Sequence, residues 1–164
     1  MSDAPEFKSL NSVQFLYLRE ISEPRDNSLR IVVEEAVANR SSAISVQLEI
    51  SELADICKGG SPIESILGCR KFELNWQSYV SYLVTEECAG SCGEFGDEVY
   101  TGKLFRLYTK SHFLDHLARD TGAHTKPIQH YKLTCLNHLI DVAAYAPPEV
   151  RQIAPVSPSL SGIQ

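Results

Sequence analysis

Two thiols, Cys88 and Cys92, stand in Glu86-Glu87-Cys88-Ala89-Gly90-Ser91-Cys92-Gly93, and His112, His116, His124 and His130 follow them downstream. Thiolates this close can share one tetrahedral metal, and imidazoles can complete its shell. A structural zinc site needs four ligands, usually as two compact pairs, and the chain has no second cysteine pair. On a helix His112 and His116 share one face, being four residues apart. Phe113, Leu114, Leu117 and Ala118 take the opposite face, so both histidines are expected in solvent beside Asp115 and Arg119. A small metal-binding protein using Cys88 and Cys92 is one of three functional readings, and the sequence implies no cofactor beyond it.

Cys135 has His130 and His138 nearby, the residue types of a thiol–imidazole pair. Read as one strand, residues 129–144 place Cys135 with Tyr131 and Leu133 on the odd face and both histidines on the even face. Cys135 then reads as a buried small hydrophobe, and Cys57 and Cys69 likewise. Asn137, His138 and Asp141 interrupt the apolar run, so they need an exposed edge or a hydrogen-bonded network. His138 and Asp141 fall on opposite faces of such a strand. A small enzyme with a dispersed polar site around His130, His138 and Asp141 is the second reading. The chain has no phosphate-binding glycine loop, nucleophile elbow, metalloprotease helix or nucleotide-binding fingerprint.

The segment from Glu86 to Gly102 carries Glu86, Glu87, Glu94, Asp97 and Glu98 and no lysine or arginine. Its spacing lacks the ligand ladder of a calcium loop, and a solvated acidic loop accounts for the composition. Such a loop would also steer a basic partner. The leading reading is therefore a non-enzymatic cytoplasmic interaction protein, accessory or immunity-type, that occludes a basic protein with these five carboxylates. Residues 88–98 are expected to form an exposed, mobile loop with reduced thiols and no metal. Reversing Glu94, Asp97 and Glu98 is expected to slow association and leave folding nearly unchanged.

These residues need a scaffold. Phe72, Leu74, Trp76, Val80, Tyr82 and Val84 alternate with polar residues, which predicts one long strand over roughly 71–86. Residues 13–19, 29–37 and 43–50, separated by turn signals, predict an antiparallel meander. A short helical turn over 51–57 follows, then a capping box at Ser61-Pro62-Ile63-Glu64 that opens a helix ended by Gly68. A loop over 88–102, a strand over 103–108, a helix over 111–120 with Gly122 at its exit, and a strand over 129–144 complete the pattern.

At 164 residues, 43% hydrophobic and 22% charged, the chain fits one domain with a sizeable core. We expect a flexible terminus over 1–11, one domain over 12–150 and a flexible tail over 151–164. The fold expectation is α+β: a mixed, mainly antiparallel sheet of about six strands with helices packed on one face. The 111–120 helix should cover the meander through Phe113, Leu114 and Leu117, with Trp76 buried near the contact. A net charge of −6 disfavours nucleic acid, which requires a concentrated basic surface. The polar start and the lack of a long apolar run argue against a signal peptide or membrane span. Five cysteines, an odd number, suit reduced thiols in the cytoplasm. Oligomeric state is not encoded in any of these signals.

Four motifs occur together over residues 70–150: Trp76-x-x-Tyr79-Val80-x-Tyr82, Gly102-Lys103-x-Phe105-Arg106-x-Tyr108, Ser111-x-Phe113-Leu114, and His130-Tyr131-x-x-x-Cys135-x-Asn137-His138-x-Ile140-Asp141-Val142. In this series the chain resembles a family of small uncharacterised bacterial proteins. The resemblance implies a bacterial cytoplasmic origin and supplies no catalytic residues.

Overall fold

The computed structural model describes residues 5–39, 61–88, 96–121 and 126–154. Among them the chain forms α1 (Pro5–Asn11), β1 (Phe15–Ser22), β2 (Leu29–Ala38), β3 (Ile63–Glu64), β4 (Lys71–Trp76) and β5 (Ser81–Glu86). Then come β6 (Val99–Thr101), β7 (Phe105–Lys110), α2 (His112–Thr121), β8 (Gln129–Thr134), β9 (His138–Ala144) and β10 (Glu149–Ile153). The strands pair antiparallel in two sheets, β1-β2-β4-β10 with β3 beside β2, and β5-β9-β8-β7-β6.

Strand makes up 52% and helix 11% of the structure, which corrects the expected α+β sheet of about six strands covered by helices. The physical reason is that each sheet has an apolar inward face, so the sheets bury one another. Ile31, Val33, Phe72 and Leu74 of the first sheet share one core with Leu133, Ile140 and Val142 of the second. Trp76 is buried, as its place in the alternating run requires. Its ring lies edge-on to Phe105 at 6.5 Å and to Tyr131 at 5.9 Å. Those neighbours belong to the opposite sheet, whereas Phe113 of α2 meets His130 on the outward side of β8. The expected Trp76–α2 contact is therefore replaced by a sheet-to-sheet one.

Both long predicted strands are divided. The 71–86 run becomes β4 and β5 in different sheets, with residues 77–80 crossing between them. That crossing is held by Tyr79 N–H on Asn27 O (3.0 Å) and Val80 N–H on Ala143 O (2.8 Å). The 129–144 run becomes the β8–β9 hairpin. Its turn reaches the first sheet: Leu136 N–H donates to Leu16 O at 2.8 Å. The Asn137 carboxamide accepts from Leu18 N–H at 2.9 Å and donates to Leu18 O at 3.1 Å. These bonds satisfy backbone groups beside the β1 bulge between Leu18 and Glu20, which is why a polar residue sits in this apolar stretch.

The capping box at 61–64 opens no helix. Ile63 and Glu64 pair with Ala38 and Val37 as β3, and the Glu64 carboxylate takes the Asn39 amide at 3.1 Å instead of reaching back to a cap. The segment expected as a flexible terminus contains α1, whose Leu10 is fully buried. The expected domain end at 150 cuts through β10, which pairs with β4 from Glu149 to Ile153. β6 lies inside the segment expected to be loop. The predicted strand over 43–50, the helical turn over 51–57 and most of the expected tail lie outside the described residues. Among the described residues no helix is long and apolar enough to cross a membrane.

Candidate functional site

The acidic segment is divided in use. Glu98 Oε1 accepts the His112 backbone N–H at 2.9 Å, at the start of α2. Asp97 lies 3.1 Å from Lys110 Nζ and 2.9 Å from His112 Nε2. Lys110 first, and His112 after it, hold the Asp97 carboxyl below its usual range. Glu86 is exposed at the end of β5 opposite His138, and Glu87 accepts from the neighbouring Cys88 thiol at 3.5 Å. That hydrogen bond and the charges of Glu86 and Glu87 push the Cys88 thiol up, making it a poor source of thiolate. Cys92, Glu94 and His124 lie outside the described residues. Among the described residues no three histidine, cysteine or carboxylate groups converge on a cation position.

The hairpin brings together two residues that belonged to the same predicted strand. His130 Nε2 is 2.8 Å from Asp141 Oδ1, and His130 Nδ1 is 2.9 Å from Ser111 Oγ. Ser111 Oγ also accepts the Leu114 amide at 3.1 Å, as the N-cap of α2. The imidazole is thereby held at both ring nitrogens, between the Ser111 hydroxyl and the Asp141 carboxylate. Lys132 Nζ completes the group 3.4 Å from the same carboxylate. The His130 ring stacks on Tyr108 at 4.3 Å and meets Phe113 edge-on at 5.1 Å. Serine, histidine and aspartate in a row suggest nucleophilic catalysis, but Ser111 and His130 are each 2% exposed. This network fastens α2 to β8. His138 stays apart from it, with its Nδ1 buried and unpartnered among the described residues. Cys135 is buried at the hairpin turn, and burial pushes its thiol up to about 12, as befits a packed hydrophobe.

A cavity of about 200 Å³ opens between α1, β7 and β8. Its walls are Phe7 of α1, Phe105 and Leu107 of β7, Tyr131 of β8 and Pro147, with the Gln129 side chain beside them. Three of the rings form a stack, Phe7 on Phe105 at 5.3 Å and Phe105 on Tyr131 at 5.8 Å with only 7° between planes. Trp76 lies edge-on behind two of them. Among the described residues no charged side chain lines the space. The Tyr131 hydroxyl donates to Gln129 Oε1, and burial pushes that phenol up to about 12.

Asn11 builds the rim. Its Oδ1 accepts the amides of Lys103, Leu104 and Phe105, each at 2.9 Å. Its Nδ2 donates to Phe105 O at 3.2 Å and Phe7 O at 3.1 Å. One carboxamide thus fastens α1 to the β6–β7 turn. Gly102 in that turn has φ +98°, and a Cβ there would lie 2.1 Å from Phe105 O, so only glycine fits. Sequence reasoning missed this site. The alternation of Phe105 and Leu107 was visible in it, but the contribution of Phe7 and Asn11, some ninety residues away, left no local trace.

A second, polar cleft of about 340 Å³ lies beside Arg25, Arg30 and Arg151. These guanidinium groups already bond Gln77, Glu20 with Glu73, and Glu149 respectively, so the cleft offers no concentrated positive charge. No protein-family model matches the chain, no curated protein is similar to it, and no solved structure matches its fold.

Proposed function

We propose that this protein is a binding protein for a small apolar ligand held in the cavity between α1, β7 and β8. The stacked wall of Phe7, Phe105 and Tyr131 around an uncharged space carries this reading. Binding sites for small molecules are concave and mostly apolar, with few polar groups. An apolar cavity of roughly 150 Å³ takes up a benzene-sized molecule, and drug-sized ligands require roughly 300 Å³ or more. A space of about 200 Å³ suits one or two rings. The lining offers stacking, the Asn11 and Gln129 carboxamides and the Thr101 hydroxyl, which serve recognition and not bond cleavage.

Trp76, the only tryptophan, lies behind the aromatic wall and reports on its occupancy. Naphthalene should change Trp76 emission saturably, and Leu107→Phe, which fills the space, should abolish the effect. No saturable change, or one that survives Leu107→Phe, defeats the proposal.

A second reading retains an acidic docking surface for a basic protein. Its support is Glu86 and Glu87 at the exposed end of β5, adjacent in sequence and raising the Cys88 thiol together. Lysine at both positions should slow association with a basic partner at low salt; unchanged rates would end this reading. A cytoplasmic location fits the free thiols of Cys69, Cys88 and Cys135, and the acidic net charge speaks against a nucleic-acid partner.

A further inference from the structure

We infer that the ligand is a neutral molecule of one or two rings bearing a hydrogen-bond acceptor, and that Gln129 selects it by donating from its side-chain amide. This inference rests on the binding reading above. A carboxamide has one accepting oxygen and two N–H donors. The Tyr131 hydroxyl donates to Gln129 Oε1, which fixes the orientation of the amide and leaves Nε2 to donate elsewhere. Among the described residues no acceptor takes Nε2. The other carboxamide at the rim, Asn11, uses both its oxygen and its nitrogen on the backbone of Phe7 and residues 103–105, so it is committed to the fold. Tyr131 has committed its hydrogen to Gln129.

The electrostatics exclude ions. A carboxylate or ammonium entering this cavity would lose hydration without meeting an opposite charge, because the described lining is uncharged. A carbonyl oxygen on a flat ring loses less hydration and recovers a hydrogen bond from Nε2. The Nε2 donor exchanges water for the ligand's acceptor, so the expected gain is that of one net hydrogen bond.

The test compares three molecules of nearly equal shape on the full chain: coumarin, which accepts but does not donate, naphthalene and 2-naphthoate, with Kd read by ligand-observed NMR. Coumarin should bind about tenfold more tightly than naphthalene, and 2-naphthoate should bind more weakly than both. Gln129→Leu should erase the preference, bringing the ratio of the two neutral Kd values to about one. Gln129→Glu, which keeps an acceptor for Tyr131 and removes the donor, should also reject coumarin, and it supplies the test if the leucine variant misfolds. Equal Kd values for coumarin and naphthalene, or a preference that survives both variants, overturn the role of Gln129 while leaving the cavity a binding site. Tighter binding of 2-naphthoate overturns the neutral class. Failure of both neutral molecules to bind overturns this inference and the binding reading together.

Discussion

His130 Nε2 lies 2.8 Å from Asp141 Oδ1, and the two residues are diagonal neighbours across the β8–β9 hairpin. Lys132 stands directly opposite Asp141, and Ala143 opposite His130. The contact therefore depends on the hairpin register, and it places two polar groups on the outward face of the second sheet beneath α2. Removing one partner would leave the other buried with part of its bonding lost, Asp141 keeping only Lys132 and His130 only Ser111.

His130→Ala should accordingly destabilise the fold by about 3 kcal/mol, the range for breaking a buried, hydrogen-bonded pair. Part of the loss comes from the stacking of the ring on Tyr108. Urea unfolding of the variant checks this, and a double-mutant cycle with Asp141→Asn isolates the coupling. A loss below about 1 kcal/mol, or additive effects, would mean that the network does not fasten α2 to β8.

Asn11 is a second tie whose loss should be disproportionate to its size. Asn11→Ala removes the acceptor for the amides of Lys103, Leu104 and Phe105 and the donor to the carbonyls of Phe7 and Phe105. The expected cost is about 2 kcal/mol. Asn11→Asp keeps the acceptor and forfeits only the donor, so it should cost less. Hydrogen exchange localises the effect: protection at Lys103–Phe105 should fall in Asn11→Ala well before that of β2 or β9. Uniform protection across the chain would refute the assignment.

Much of the core could be read from residue alternation, and most of the connectivity could not. Phe72, Leu74 and Trp76 are buried as their spacing requires, and Ser111 caps the one helix that the sequence made plain. The break at Gln77–Val80 contains neither glycine nor proline, and the hairpin turn at Cys135–Asn137 begins with two apolar residues. Each therefore reads as continuing strand. That error concealed the polar network, because face parity separates residues only within one strand. Once 129–144 folds back on itself, His130 meets Asp141 from the neighbouring strand. The capping box at 61–64 failed for a related reason: local helix chemistry was present, but pairing with Val37 and Ala38 claimed the backbone. The cavity was out of reach because Phe7 and Asn11 matter only through contacts with residues near 105.

Acid should weaken the first sheet. Arg70 holds the Glu35 carboxyl below its usual range, chiefly through their side-chain hydrogen bond, and Arg30 does the same to Glu73. A carboxyl depressed in the folded state binds its proton more readily when unfolded. Its contribution is complete above the ordinary carboxylate range and is lost as pH falls through the folded-state values. These groups are partly exposed, so the effect is modest. The urea midpoint should fall as pH is lowered through the carboxylate range, and Glu35→Gln should flatten that fall while lowering stability at neutral pH. An identical pH dependence in wild type and variant would discount the pair.

Glu98 gives the last prediction and bears on whether the acidic segment is surface or structure. Its carboxylate accepts the His112 amide at the first residue of α2, where unpaired N–H groups and the helix dipole favour negative charge. Glu98→Lys places a cation at that end and removes the acceptor, so it should cost about 1–2 kcal/mol. Asp97→Asn should cost much less, because its pairs with Lys110 and His112 are exposed. The expectation that reversing Glu94, Asp97 and Glu98 together would spare folding is therefore replaced by one in which, of the two described residues, Glu98 carries the structural penalty. Denaturation of the single variants, with exchange of the α2 amides, makes the comparison. If Glu98→Lys leaves both stability and α2 protection unchanged, Glu98 does not serve the helix, and its charge returns to the surface available to a basic partner.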